Sequence, residues 1–319
     1  MKRIGKKIFT LIITLFLVSF VTFFLFDQIP SNPALAMLGT NATPERLAEL
    51  EEEMGLNEPF LVRYASFVKG LFEEEGNVSY TYHTPANQLI KGRLPISFTL
   101  MAFSFLITLL VSIPLGMLAG RKKHSKTGEM ITIVSQLMMS IPPFFMGILL
   151  TILFGLVLNW FQVGNYVSYE ENKSKFFAYM ILPAIAVSIP KIAMVVKFLR
   201  VSVMEQMRQD YVMTAKGKGL GSFRILAVHV LKNALIPVIT IMGMMVGDLL
   251  AGSIVVEQVF NIPGLGRLLI SSIGNRDYPL VSSIIVFIAS AVMIAYGIMD
   301  ILYILVDPRM RREETKNEA

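Results

Sequence analysis

Apolar positions along this chain gather into six long stretches, at residues 8–26, 96–120, 130–158, 177–199, 234–256 and 280–304. A helix rising 1.5 Å per residue needs about 20 apolar residues to cross a bilayer. Each stretch therefore predicts one spanning helix, and the chain reads as an all-α, polytopic membrane protein with six transmembrane helices. The first stretch follows Lys2, Arg3, Lys6 and Lys7, as a signal peptide would. Its apolar run is too long for that, and Asp27-Gln28-Ile29-Pro30 offers no cleavage site, so it reads as an uncleaved helix. The layout is a first helix over 1–30, an outer segment over 31–93, helices two to six over 94–306, and a short charged tail over 307–319.

The outer segment carries its own pattern. Thr43-Pro44-Glu45 reads as a helix start, with Thr43 as cap and Pro44 in the first turn, and the acidic run after it should stop at Gly55. Phe60, Tyr64, Phe67 and Phe72 are expected to lay this region on the membrane surface. The acids at 51–53 and 73–75 read as a solvated face.

Inside the spans, Pro142-Pro143 should kink the third helix, and Pro183 with Pro190 the fourth, freeing backbone carbonyls. Gly116 with Gly120 and Gly243 with Gly247 put small residues four apart, which permits close helix approach. Asp248 lies about 21 Å along its helix from Ala234, near mid-membrane. A carboxylate there is costly unless it meets water or a partner, so Asp248 reads as a lone buried acid lining a pathway. Lys191 lies nearer the inner half of its span, roughly 9 Å away in depth on straight helices. It is expected to snorkel to the interface rather than pair with Asp248. Pro142, Pro143, Lys191 and Asp248 are the candidate pathway residues.

Composition narrows the classes. Of 319 residues 54% are hydrophobic and 16% charged, with mean hydropathy +0.61, too little charge for a soluble domain of this length. The net charge of +6 sits in loops flanking the spans, so nucleic acid is not an expected partner but membrane lipid is. Without cysteine, and with three scattered histidines, thiol chemistry and a clustered metal site are not expected. Lysine and arginine number four before the first span, four in 121–129, seven in 197–233 and four after 307. The 27–95 segment has five against ten acids, and the two other intervening loops have two each. The positive-inside bias then places both termini and the 197–233 loop in the cytoplasm.

That loop, about 200–233, is the most telling segment. It is too long for a tight connection and predicts two short helices separated by Gly217, Gly219 and Gly221. From Asp210 to Asn233 its cations Lys216, Lys218, Arg224, His229 and Lys232 face a single acid, Asp210. No phosphate loop, dinucleotide fingerprint or hydrolase motif occurs anywhere, so the chain is not expected to be an enzyme or to bind a cofactor.

Asp210-Tyr211-Val212, Thr214-Ala215-Lys216 and Lys218-Gly219-Leu220, followed by His229, Leu231-Lys232-Asn233-Ala234-Leu235 and Pro237, resemble the coupling loop of ABC importer permeases. The pattern is that of the oligopeptide, dipeptide and nickel branch. Met213 and Thr214 stand in the first two positions of the general EAA form, and Lys232 where its proline falls. The resemblance continues through Met54-Gly55-Leu56-Asn57, Leu94-Pro95-Ile96-Ser97, Ile141-Pro142-Pro143-Phe144, the 257–266 segment and Arg276-Asp277-Tyr278-Pro279. The long segment after the first helix is similar to that of the first of the two paired permeases.

The resemblance implies a type I importer permease fold and a set of partners. These are a homologous second permease, two ATP-binding-cassette ATPase subunits that hold ATP and magnesium, an extracytoplasmic solute-binding protein and a peptide substrate, at a bacterial cytoplasmic membrane. It implies that Asp210, Tyr211, Thr214, Ala215, Lys216, Lys218, Gly219, Leu220 and His229 form the coupling loop, with roughly Asp210–Lys216 in a groove of the ATPase and His229 either packing the second short helix on the first or lying at the interface. Nickel or another small solute stays open as cargo. An ion-coupled secondary transporter using Asp248 is the rival from another class.

Overall fold

A computed structural model of the chain describes residues 2–29, 33–39, 42–123, 125–162 and 164–306. Pro30, His124 and the expected tail at 307–319 lie outside them. Among the described residues the regular structure is all helix, apart from one isolated bridge between Val78 and Pro85. The helices are α1 (Lys2–Asp27), α2 (Pro33–Leu38), α3 (Pro44–Glu53), α4 (Phe60–Gly70), α5 (Ala86–Arg121), α6 (Lys126–Met139) and α7 (Pro143–Leu150). They continue as α8 (Lys173–Gln206), α9 (Asp210–Gly217), α10 (Ser222–Arg224), α11 (Leu231–Val259), α12 (Leu265–Gly274) and α13 (Tyr278–Val306). Two wider π-helical segments, Thr151–Val157 and Ile225–Val230, extend α7 and join α10 to α11. Five helices are long and apolar enough to cross a membrane, and α6 with α7 make a sixth span if counted together.

The third span departs from expectation. It is broken, not merely kinked: α6 and its continuation through α7 meet at 102°. Pro143 forces the residue before it out of the helical region, and Pro142 takes φ −62, ψ 146 as the cap of α7. The fourth span stays one helix. α8 runs unbroken through Pro183 and Pro190. The neighbouring helices α6, α7 and α11 all pack on it and hold it helical.

The chain divides into two compact units. One comprises residues up to Ser97 together with Pro263–Met293. Its centre is an apolar cluster of Ala86, Ile90, Leu265, Leu268, Leu280 and Ile284. Thr43 caps α3 as expected, its hydroxyl accepting from the Arg46 N–H, and Gly55 follows with φ +65. Tyr64 and Phe67 pack on α1, with Phe20–Tyr64 at 5.4 Å and Phe23–Phe67 at 5.2 Å, while Phe72 is 86% exposed. Ser19 shares a 2.9 Å hydrogen bond with the Tyr64 hydroxyl, and Arg63 forms an ion pair with Asp27. A cavity of about 1000 Å³ opens beside them, lined by Asp27, Met54, Arg63, Tyr80 and Tyr278 among others.

Within the same unit Asp277, fully buried, receives the Ser79 hydroxyl at 2.5 Å and the N–H groups of Tyr80 and Thr81 at 3.1 Å. Leu265 N–H donates to Ser97 Oγ at 2.8 Å, and Arg93 donates to the Pro263 carbonyl. Burial first, and the Asp277 carboxylate second, push the Tyr80 phenol up to about 12, with Arg63 pulling the other way.

The other unit comprises Phe98–Ile262 and the residues from Ile294 onward, and is built around α8. The paired glycines of α5 act as expected. A Cβ at Gly116 would stand 2.8 Å from Leu199, and one at Gly120 2.7 Å from Val203, so α5 and α8 approach too closely for any side chain there. Gly116→Val should cost about 1–3 kcal/mol by overpacking. A lowered Tm of the detergent-solubilised protein, partly recovered by adding Leu199→Ala, is the expected result. At the other end of α8, the Tyr179 hydroxyl donates to the Phe260 carbonyl at 2.5 Å and accepts from Gly164 N–H at 3.1 Å, tying down the 158–172 loop.

Candidate functional site

The coupling segment is built on α9. Asp210 stands exposed in its first turn, where a negative charge suits the helix N-terminus. The Thr214 hydroxyl donates to the Asp210 carbonyl at 3.1 Å, and the Tyr211 hydroxyl meets Gln206 Oε1 at 2.9 Å. Val212 and Ala215 are buried and anchor the helix, whereas Met213, Thr214, Lys216 and Lys218 are exposed. One short helix thus has an apolar root and a free face carrying two cations.

Its end is a Schellman turn. Leu220 N–H bonds the Ala215 carbonyl at 3.2 Å and Gly219 N–H the Lys216 carbonyl at 2.9 Å, with Gly219 at φ +75. Only glycine takes that backbone without strain, which is the reason for glycine at this position.

The expected second short helix is not separate. From Ser222 the chain runs through the π-helical Ile225–Val230 into α11 without a break. No glycine or helix-stopping residue intervenes between Ser222 and Pro237, so nothing ends it. Ile225, Leu226 and Val230 are the buried residues of the joint, which packs against α9. His229 is exposed, so of its two expected places it does not take the one between the short helices, and its carbonyl accepts from Asn233 at 3.4 Å. The widened turns left no signal in the sequence. Such π-helical insertions recur at functional sites.

The second group of predicted residues converges in the interior of the helical spans. Lys191 Nζ lies 2.8 Å from Asp248 Oδ2. The pairing judged doubtful from depth therefore forms, and Lys191 does not snorkel. Depths measured along straight, upright helices ignore the reach of a lysine, about 6 Å of flexible stem. Asp248 is neither lone nor buried: its side chain is 54% exposed, against 16% for Lys191. Pro143 joins this group through α11, since a Cβ at Gly252, one turn beyond Asp248, would sit 3.7 Å from its ring. Pro142 contributes the bend alone.

The family described as binding-protein-dependent transport system inner membrane component matches residues 112–312, and its N-terminal companion matches residues 1–101. The oligopeptide transport system permease protein AppB of Bacillus subtilis is 34% identical, over 92% of this chain and 94% of its own length. The dipeptide transport system permease protein DppB of Alkalihalophilus pseudofirmus is 30% identical over 96% of this chain and 98% of its own. DppB of Lactococcus lactis is 30% identical over 97% and 99%.

Proposed function

The chain belongs to the binding-protein-dependent transport system inner membrane component family, and from that membership we propose that it is the permease subunit of an ATP-driven importer of peptides. Relatives named as oligopeptide and dipeptide permeases along nearly their whole length support that cargo. In this reading the multi-pass chain sits in a bacterial cytoplasmic membrane with both termini inside. It pairs with a second, homologous permease, as the first of the two. A solute-binding protein delivers the peptide on the outer face, and two ATPase subunits bind ATP and magnesium on the inner face.

The observation that carries the mechanism is the free face of α9. Rooted by Val212 and Ala215 and stopped by Gly219, it projects Met213, Thr214, Lys216 and Lys218 from the body of the protein. A rigid short helix with an apolar contact residue and two cations suits an acid-rimmed groove on an ATPase. Closure of the ATPase pair would then pull on α9 and, through the unbroken joint at Ile225–Val230, on α11 itself. The joint packs on α9 and continues into α11, so displacement at α9 passes to α11 through that contact.

The test is gentle solubilisation of native membranes, capture of this chain and reconstitution of what accompanies it. A second permease and P-loop ATPases should co-purify, and the vesicles should take up tripeptides only with ATP. Solute flux by this chain alone without ATP would replace the reading with a secondary transporter. Nickel uptake without peptide uptake would replace the cargo.

A further inference from the structure

The exposed face of α11 carries a charge where lipid would not tolerate one. Thr240, Met244, Asp248 and Val255 recur at helical spacing and are all exposed. The opposite face, with Val238, Met242, Met245, Leu249 and Val256, is buried within the chain. A carboxylate turned to hydrocarbon near the middle of a span costs about 2.5–3.5 kcal/mol on insertion scales. This face is therefore turned to water or to protein. The ion pair is also asymmetric: Lys191 is tucked behind with its side chain 16% exposed, while the carboxylate stands in front at 54%. The sign that the face presents is negative, and its neutralising partner is a flexible ammonium able to withdraw.

We propose that the Lys191–Asp248 pair lines the translocation path and that Asp248 receives the cationic group of a passing peptide, an N-terminal ammonium or a basic side chain, in exchange for Lys191. This rests on the importer reading above. The exchange swaps one charge-assisted bond for another, so no carboxylate is left bare during passage. When the peptide leaves, Lys191 closes on Asp248 again, and the same pair seals the path against free cations.

The charge-swapped double variant, Lys191→Asp with Asp248→Lys, separates this role from a merely structural clasp. It keeps the pair but reverses the sign at the exposed position. Uptake of Ala-Lys-Ala and of Ala-Glu-Ala would be measured in vesicles holding the complete importer. Each would be expressed relative to the wild type, so that any preference of the binding protein cancels. The Ala-Lys-Ala to Ala-Glu-Ala ratio should fall by about tenfold, the effect of some 1.4 kcal/mol. Asp248→Asn alone should lower the ratio several-fold. A restored uptake with an unchanged ratio would overturn the proposal in favour of a structural clasp. So would a swapped complex that assembles and carries neither peptide, because a solute-facing charge reverses preference rather than closing the path. Because the chain has no cysteine, Met244→Cys and Val255→Cys report wetting of the face directly. Both should react with a membrane-impermeant thiol reagent in at least one stage of the ATP cycle, and failure in every stage would also overturn the proposal. A wild-type complex that takes up no peptide would sink the cargo assignment instead, and the thiol measurement would still decide whether the pair faces water.

Discussion

Gly219→Val is expected to abolish ATP-driven peptide uptake while the protein still accumulates in the membrane. The two effects separate because the glycine meets nothing: no atom lies within 4 Å of a Cβ placed there. A Cβ there meets open space, and the spans would be untouched. The penalty lies in the backbone. Gly219 holds φ +75, a region that costs an L-residue about 1–2 kcal/mol and a β-branched one more. Relaxing it breaks the bonds from Leu220 to Ala215 and from Gly219 to Lys216 that stop α9. The free face of α9 would then lose its fixed pose against the ATPase groove. Gly219→Asn provides the contrast, since asparagine tolerates the left-handed region, and should keep most of the uptake. Uptake in reconstituted vesicles, set against the membrane level of each variant, measures both. Full uptake by the valine variant would remove α9 from the coupling role.

What the sequence made legible was local. The Thr43 cap, the stop at Gly55 and the turn at Gly219 each depend on a few adjacent residues whose chemistry allows little else. The spans were legible because hydrocarbon imposes one requirement on some 20 residues at once. Pairings between distant segments were not. Phe60, Tyr64 and Phe67 lie on one side of α4, and Phe16, Phe20 and Phe23 on one side of α1, but two stripes do not state that they face each other. The same holds for Lys191 and Asp248, whose contact depends on how α8 packs against α11. Proline was ambiguous for a related reason. Pro142 and Pro143 in tandem end a helix whatever surrounds them, because the first is itself held in the extended region by the second. Single prolines at 183 and 190 leave the outcome to the packing around α8, and the packing kept it whole.

Asp277→Ala should melt the 76–86 segment without unfolding the spans. One carboxylate there holds three donors: the Ser79 hydroxyl and the N–H groups of Tyr80 and Thr81. Hydrogen bonds to a charged group are worth about 1.5–3 kcal/mol each, and leaving buried donors unmet adds to the loss. A local cost of roughly 3–5 kcal/mol is expected from this mechanism, enough to open a segment held otherwise by a few backbone bonds such as Ala86 N–H to the Asn77 carbonyl. The same carboxylate offsets a strain beside it, because Arg276 ends α12 at φ +57, where a non-glycine residue costs about 1–2 kcal/mol. Asp277→Asn keeps the shape but retains a single acceptor oxygen, so it should fall between the wild type and alanine. Amide exchange at Tyr80 and Thr81, with proteolysis of the 71–85 stretch, reads the opening directly. Alkaline titration gives an independent check. The buried Tyr80 phenol, raised to about 12 from its ordinary 10, adds stability that is complete below pH about 10 and lost as pH rises through 12. Removing Asp277 takes away the lesser of the two causes directly, and opening the segment takes away the burial that is the greater. In the alanine variant Tyr80 should therefore titrate nearer its ordinary 10, and the stability lost between pH about 10 and 12 should shrink. Protection at Tyr80 and Thr81 equal to the wild type, at neutral and alkaline pH alike, would show that Asp277 does not hold this segment.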